Sequence, residues 1–362
     1  MMSWFNLKIF TWIIVSFFLN TLAAYLWYKK LNIKVGLKHY KALQRIHSNE
    51  TPRLGGFILI ICLICFVIDS SEIGINYFLN TALISFLPTV LVSLKEDLFH
   101  DTSPIIRLLS IFFSATIFLS LNTGPLPDLS GVPYISKIFL LPGGGFIFYV
   151  LGMVTISNGM NLIDGVNGLC GTVYIGILSA LLFLAYKSGD FLMMNTIITL
   201  IFLLIPFLII NYPFGFIFLG DLGAYILGLI ISMLSIIFFG RHPEISVWAA
   251  VLILIYPVTE VFFSMIRRAF QGTDIFRPDT LHLHMRVFHF CKLHTYNKLI
   301  ANSLVTPLLS ILWLFPLITI SWVYHKKVFI FIAIILFEFI YLFLYFFLAK
   351  ANFIKIKSRI AS

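Results

Sequence analysis

The chain has 362 residues, of which 60% are hydrophobic, 17% aromatic and only 11% charged, and its formal net charge is +10. Soluble globular chains carry about 25% charged residues, so a mean hydropathy of +1.00 excludes a surface that faces water on all sides. A soluble enzyme, a nucleic-acid binder and a disordered scaffold are excluded with it. What is left is an all-α polytopic membrane protein, with apolar residues enough for roughly eleven spanning helices of about 20 residues each.

The first apolar stretch, 10–28, is followed by Lys29 and Lys30 and is too long for the core of a cleaved signal. It reads as a retained span. Ten more candidates follow at 54–68, 75–94, 104–121, 143–160, 169–186, 191–210, 217–239, 245–266, 299–323 and 328–349. Basic residues fix the orientation, because Lys and Arg collect on the cytoplasmic side. The loop after the first span carries Lys29, Lys30, Lys34, Lys38, Lys41, Arg45 and Arg53, and the loops on the same side hold most of the rest. The other side receives only Lys8, Lys137, Lys187, Arg241, Lys326 and Lys327 of the 25. This predicts an N-terminus outside, a cytoplasmic C-terminus and one integral membrane domain over 1–362. Its cytoplasmic loops fall at about 29–53, 95–104, 158–168, 211–221 and 267–298.

Polar residues at the ends of apolar spans are functional candidates by default, and five clusters stand out. They are 49–56, with Thr51-Pro52-Arg53-Leu54-Gly55-Gly56; 95–104, with Glu96 and Asp97; 158–168, with Asn161, Asp164 and Asn167; Asn211-Tyr212-Pro213 leading into Phe218-Leu219-Gly220-Asp221; and 277–286, with His282, His284 and Arg286. All five fall on the predicted cytoplasmic side. Asp101 reads as a helix cap ahead of Ser103-Pro104, and Glu260 as a partner within the helix bundle. The outside acids Asp69, Glu72, Asp128, Asp190 and Glu244 read as solvated loop charges.

Asp97, Asp164, Asp221 and Glu96 are hard oxygen donors. A magnesium site commonly takes one or two carboxylates and completes its octahedron with water and phosphate. His282, His284, Arg286 and the Arg267-Arg268 pair offer donors to phosphate oxygens. The histidine spacing in the fifth cluster fits no standard structural zinc site. Carboxylates, glycines and cations at one membrane face point to phosphoryl transfer between a cytosolic nucleotide diphosphate and a lipid phosphate. Two rival readings are weaker. An intramembrane aspartyl protease would need a glycine at Phe218, and a secondary transporter would carry its acids near the midplane of paired repeats.

In order and placement the clusters resemble the polyprenyl-phosphate N-acetylhexosamine-1-phosphate transferases, membrane enzymes that start lipid-linked glycan synthesis. The resemblance covers about residues 45–290. It is most specific in Asn161-Leu162-Ile163-Asp164-Gly165-Val166-Asn167-Gly168-Leu169 and in Phe218-Leu219-Gly220-Asp221-Leu222-Gly223. The chain departs from the family pattern at Glu96, Asn167 and Ala224, where Asp, Asp and Ser are usual. The resemblance implies Mg²⁺, or Mn²⁺, at Asp221 with Asp97. It gives Glu96, Asp97, Asp164, His282 and His284 catalytic parts, and puts Arg53, Asn161, Asn211, Phe218 and Arg286 in contact with substrate. It further implies a UDP-N-acetylhexosamine donor, undecaprenyl phosphate as acceptor, a bacterial inner-membrane location with the site on the cytoplasmic face, a homodimer, and a place in O-antigen, capsule or other envelope-glycan synthesis. The identity of the sugar stays open.

Overall fold

The computed structural model describes residues 2–28, 51–69, 73–129, 135–139, 141–274, 279, 281–295 and 297–361. The basic loop 29–50, Arg277, Pro278 and Thr280 lie outside the described residues. All regular structure among the described residues is helical: α1 Met2–Tyr28, α2 Gly55–Asp69, α3 Ile73–Phe99, α4 Pro104–Leu121, α5 Ile135–Phe139, α6 Gly144–Ile163, α7 Leu169–Lys187, α8 Phe191–Asn211, α9 Gly220–Arg241, α10 Trp248–Ile253, α11 Ile255–Phe270, α12 Leu283–His294, α13 Lys298–Val323 and α14 Lys327–Ala361. Nine of these, among the described residues, are long and apolar enough to cross a membrane.

In lipid a span must satisfy its own backbone, so helices form wherever the apolar run is long enough. At α9 that run is buried along nearly its whole length. At about 1.5 Å per residue it spans roughly the hydrocarbon thickness, and α2, α3, α4, α6 and α7 pack against it. Ser157 on α6 donates to the Tyr225 carbonyl on α9 at 2.8 Å. On α3, Pro88 interrupts the backbone ladder. Beside it, the Thr89 N–H donates to Ser114 Oγ of α4 at 3.2 Å, and the two hydroxyls meet at 2.8 Å, tying the interrupted turn to the neighbouring helix.

Three expectations change in the folded chain. The predicted span 245–266 is two helices, α10 and α11, interrupted at Leu254, and a proline follows at 257 in the first turn of α11. The predicted loop 267–298 contains α12, whose Leu283, Met285, Val287, Phe288 and Cys291 are buried. Its apolar stripe is short and interleaved with histidines, so hydropathy over a spanning-length window does not register it. Asp190 is no solvated loop charge. It caps α8 by accepting from the Met193 N–H at 2.9 Å and pairs with Arg241 at 3.3 Å and His242 at 3.2 Å, tying the start of α8 to the end of α9.

Candidate active site

The site is assembled where the five clusters meet at one end of the bundle. The chain entering α2 is laced to the loop before α9. Phe218 N–H donates to the Pro52 carbonyl at 2.9 Å, Gly55 N–H to the Phe218 carbonyl at 2.9 Å, and Gly56 N–H to the Leu219 carbonyl at 2.8 Å. This pairing carries Arg53 to the start of α9. Its Nη1 lies 4.0 Å from Asp97 Oδ1 and 3.9 Å from Asp221 Oδ1.

Asp97 ends α3 with its carboxylate against the start of α9. The first N–H groups of a helix have no intrahelical partner. Asp97 accepts two of them, from Asp221 and Leu222, each at 2.9 Å. Gly220 has φ +78°, and a Cβ there would stand 2.6 Å from Asp97 Oδ2, so glycine is required by both the turn and the contact. The adjacent Glu96 turns the other way. It accepts from the Thr102 N–H at 2.8 Å and lies 3.9 Å from Arg107 Nη1. That same nitrogen of Arg107, one turn into α4, donates to Asp221 Oδ2 at 2.5 Å. Asp101 does not cap α4. Ser103 does so, accepting from Ile106 N–H with Pro104 as the first helical residue, while Asp101 pairs with Lys95 at 3.4 Å in solvent.

Asp164 closes α6, and its partly exposed neighbour Asn161 accepts the Asp164 N–H through its carbonyl at 3.2 Å. Burial raises the Asp164 carboxyl well above its ordinary pKa. Arg53 opposes that shift, and the nearby Asp221 and Asp97 add to it. A carboxyl in this setting gains from a further cation. The loop that follows touches the fifth cluster: a Cβ on Gly165 would sit 2.2 Å from His284 Nε2. His284 is buried, and burial with His282 beside it pushes its pKa down to about 3, so it is a neutral imidazole at working pH. The His282 ring stacks on it at 5.7 Å. His282 itself lies between two carboxylates, with Nδ1 3.1 Å from Glu260 Oε2 and Nε2 3.9 Å from Asp279 Oδ2. Burial alone would raise the Asp279 carboxyl, but His282, the Leu281 N–H and Arg267 outweigh it and hold the pKa low. Arg286 points its guanidinium to α14, donating to the Tyr345 hydroxyl at 2.7 Å with the ring centroid 4.1 Å away.

Two asparagines fasten the loops together. Asn211 accepts from the Gly168 N–H and donates to the Ile217 carbonyl, both at 2.7 Å. Asn167 donates to the Pro213 carbonyl at 2.8 Å, next to the cis Tyr212-Pro213 bond. Its backbone meets Asn302 at 2.9 Å and Thr306 at 2.6 Å on α13. Phe218 is half-buried in the lacing described above.

The fold therefore brings together Arg53, Glu96, Asp97, Asp164 and Asp221, and sets His284 against the Gly165 turn with His282 stacked on it. It commits Asn211 to backbone and Arg286 to Tyr345. Three contributors are absent from the sequence reading of the site. Arg107 carries a signal, an arginine one turn inside an apolar helix after a Ser-Pro start. Glu260 is an acid within an apolar run. Asn302 has none, because its role exists only through Asn167. Among the described residues no three His, Cys, Asp or Glu side chains converge into a preformed metal cluster.

A sequence model described as glycosyl transferase family 4 matches residues 79–239, which include Glu96, Asp97, Arg107, Asp164 and Asp221. The chain is 26% identical over 275 residues to the probable undecaprenyl-phosphate N-acetylglucosaminyl 1-phosphate transferase of Bacillus subtilis, covering 75% of each chain. It is 27% identical over 299 residues to the undecaprenyl-phosphate alpha-N-acetylglucosaminyl 1-phosphate transferase of Thermotoga maritima, covering 81% of this chain and 83% of that one. It is also similar to the phospho-N-acetylmuramoyl-pentapeptide-transferase of Staphylococcus saprophyticus, 25% identical over 317 residues, or 84% and 95% of the two chains.

Proposed function

Because the chain belongs to glycosyl transferase family 4, the polyprenyl-phosphate N-acetylhexosamine-1-phosphate transferases, we propose that its site transfers an N-acetylhexosamine-1-phosphate from a UDP-sugar to undecaprenyl phosphate. An oxygen of the lipid phosphate attacks the sugar-linked phosphorus, the bond to the bridging oxygen breaks, and UMP leaves with that oxygen. The observation that carries this reading is the convergence of Asp97, Asp221, Arg53 and Arg107 at one end of an apolar bundle, with Asp164 in the same electrostatic field.

Each side chain has a part in that chemistry. A phosphate oxygen is already ionised at neutral pH, so no strong base is needed and the work is positioning and electrostatics. Asp97 has both oxygens on the α9 backbone and acts by fixing where Asp221 stands. Asp221 through Oδ1, together with Asp164, suits a magnesium ion, whose coordination calls for one or two carboxylates with the remaining ligands from water and phosphate. When bound there, magnesium offsets charge on the transferring phosphoryl group, and manganese supplies the same chemistry. Arg53 and Arg107 attract the diphosphate. His282 and His284, held by Glu260 and the Gly165 turn, line the side toward the sugar phosphate. Asn161 and Phe218 border the nucleotide side, and Asn211 shapes that pocket through Gly168 and Ile217.

The basic loops favour a site on the cytoplasmic face of a bacterial inner membrane, where UDP-sugars are available. The lipid-linked product would begin an O-antigen, capsule or other envelope glycan. The test is UMP release by the purified protein in detergent with undecaprenyl phosphate, Mg²⁺ and a panel of UDP-N-acetyl amino sugars, one at a time. UMP that requires lipid, metal and one donor is the expected result and identifies the sugar. No UMP from any donor, in folded protein, overturns the reading and returns the transporter reading to the front.

A further inference from the structure

Arg107 stands against Asp221, the carboxylate assigned above to the metal. Its Nη1 lies 2.5 Å from Asp221 Oδ2 and 3.9 Å from Glu96 Oε1. The second arginine, Arg53, is more distant from Asp221 at 3.9 Å, and its side chain is 42% exposed against 21% for Arg107. Among the described residues, Arg107 Nε is buried without a hydrogen-bond partner. The guanidinium fork is thus only partly used, which costs free energy in a buried setting. Four carboxyl groups, Glu96, Asp97, Asp164 and Asp221, share this field with two guanidinium groups.

A divalent cation and a guanidinium compete for such a place. Both seek carboxylate oxygen, and they repel one another at the separations one carboxylate allows. A divalent ion also supplies the charge these acids lack, so it removes the need for the arginine on Asp221. Once released, a planar fork matches phosphate oxygens, which it can hold bidentately. We infer that Arg107 is a resident cation on Asp221, which yields that carboxylate to the divalent metal and turns its fork onto a phosphate oxygen of the nucleotide diphosphate. The inference rests on the transferase reading above and deepens it, naming a positioning residue for the diphosphate that also tunes metal affinity.

The test measures binding rather than turnover. Free Mn²⁺ is titrated by electron paramagnetic resonance against wild type, Arg107→Gln, Arg107→Lys and Asp221→Asn in detergent. The affinity of each for UDP, which carries the diphosphate whatever the sugar, is then measured with Mg²⁺ present. Arg107→Gln should bind Mn²⁺ about fivefold more tightly without nucleotide and bind UDP about tenfold more weakly with metal. Arg107→Lys keeps the charge, so its Mn²⁺ affinity should stay near wild type, which separates loss of charge from damage to the fold. Weaker or unchanged Mn²⁺ binding in Arg107→Gln would mean that the arginine only orients Asp221, and unchanged UDP binding would mean that it never reaches phosphate. Either result overturns the inference alone. Wild-type Mn²⁺ affinity in Asp221→Asn would overturn the metal reading itself, and this inference with it.

Discussion

Asn167 shows how a single atom type at a buried position can decide the shape of the site. Its side-chain nitrogen donates to the Pro213 carbonyl at 2.8 Å, and the residue is 2% exposed. A carboxylate has no hydrogen to give. Asn167→Asp would restore the residue usual in the family and would also place a charge against a carbonyl oxygen. The expected result is a stability loss of about 1–3 kcal/mol and reduced activity, since the loop from Asp164 to Gly168 is anchored here. Thermal unfolding in detergent checks it, and an unchanged midpoint would show that the loop is held elsewhere. The same contact explains what the sequence could and could not reveal at this scale. The acids were legible because polarity is conspicuous in an apolar chain. Whether an asparagine faces substrate or backbone was not, because the side-chain partner of Asn167 lies 46 residues away and one of the two partners of Asn211 43 residues away.

One scale up, the start of α9 is where helices α2, α3, α4 and α9 become a site. Asp97 replaces the missing partners of two N–H groups, and a lost cap of this kind costs about 0.5–2 kcal/mol. Asp221, one residue into the helix, makes no comparable backbone contact through its side chain among the described residues; it faces Arg107 and Arg53. The two aspartates should therefore separate. Asp97→Ala is expected to lower both the unfolding midpoint and activity, because α9 loses its cap and Asp221 its position. Asp221→Asn is expected to abolish turnover with the midpoint close to wild type, since it removes charge without changing size. Substantial activity in Asp221→Asn, or an unchanged midpoint in Asp97→Ala, would break this assignment. Hydropathy alone located the long helices, for which burial in lipid and length suffice. It could not locate the break at Leu254 or the short α12, where neighbouring helices decide the structure.

For the whole molecule, the contacts that join the five clusters place them at one end of the bundle, while the Asp190, Arg241 and His242 ties hold the other. Which end faces the cytoplasm is a separate question, and the positive-inside rule sets the expectation that the end with the clusters does. Two exposed acids give handles at the two ends: Asp101, whose side chain is 53% exposed beside Lys95, and Glu244, whose side chain is 58% exposed beside His242. Of the native cysteines, Cys62, Cys170 and Cys291 are buried and Cys65 lies within α2, so an impermeant maleimide should meet little background. In intact cells Glu244→Cys should be labelled from outside. Asp101→Cys should label only after the membrane is opened. The opposite pattern would move the acids to the outer face, away from cytosolic nucleotide, and the asymmetry of basic loops would then have to arise from something other than insertion.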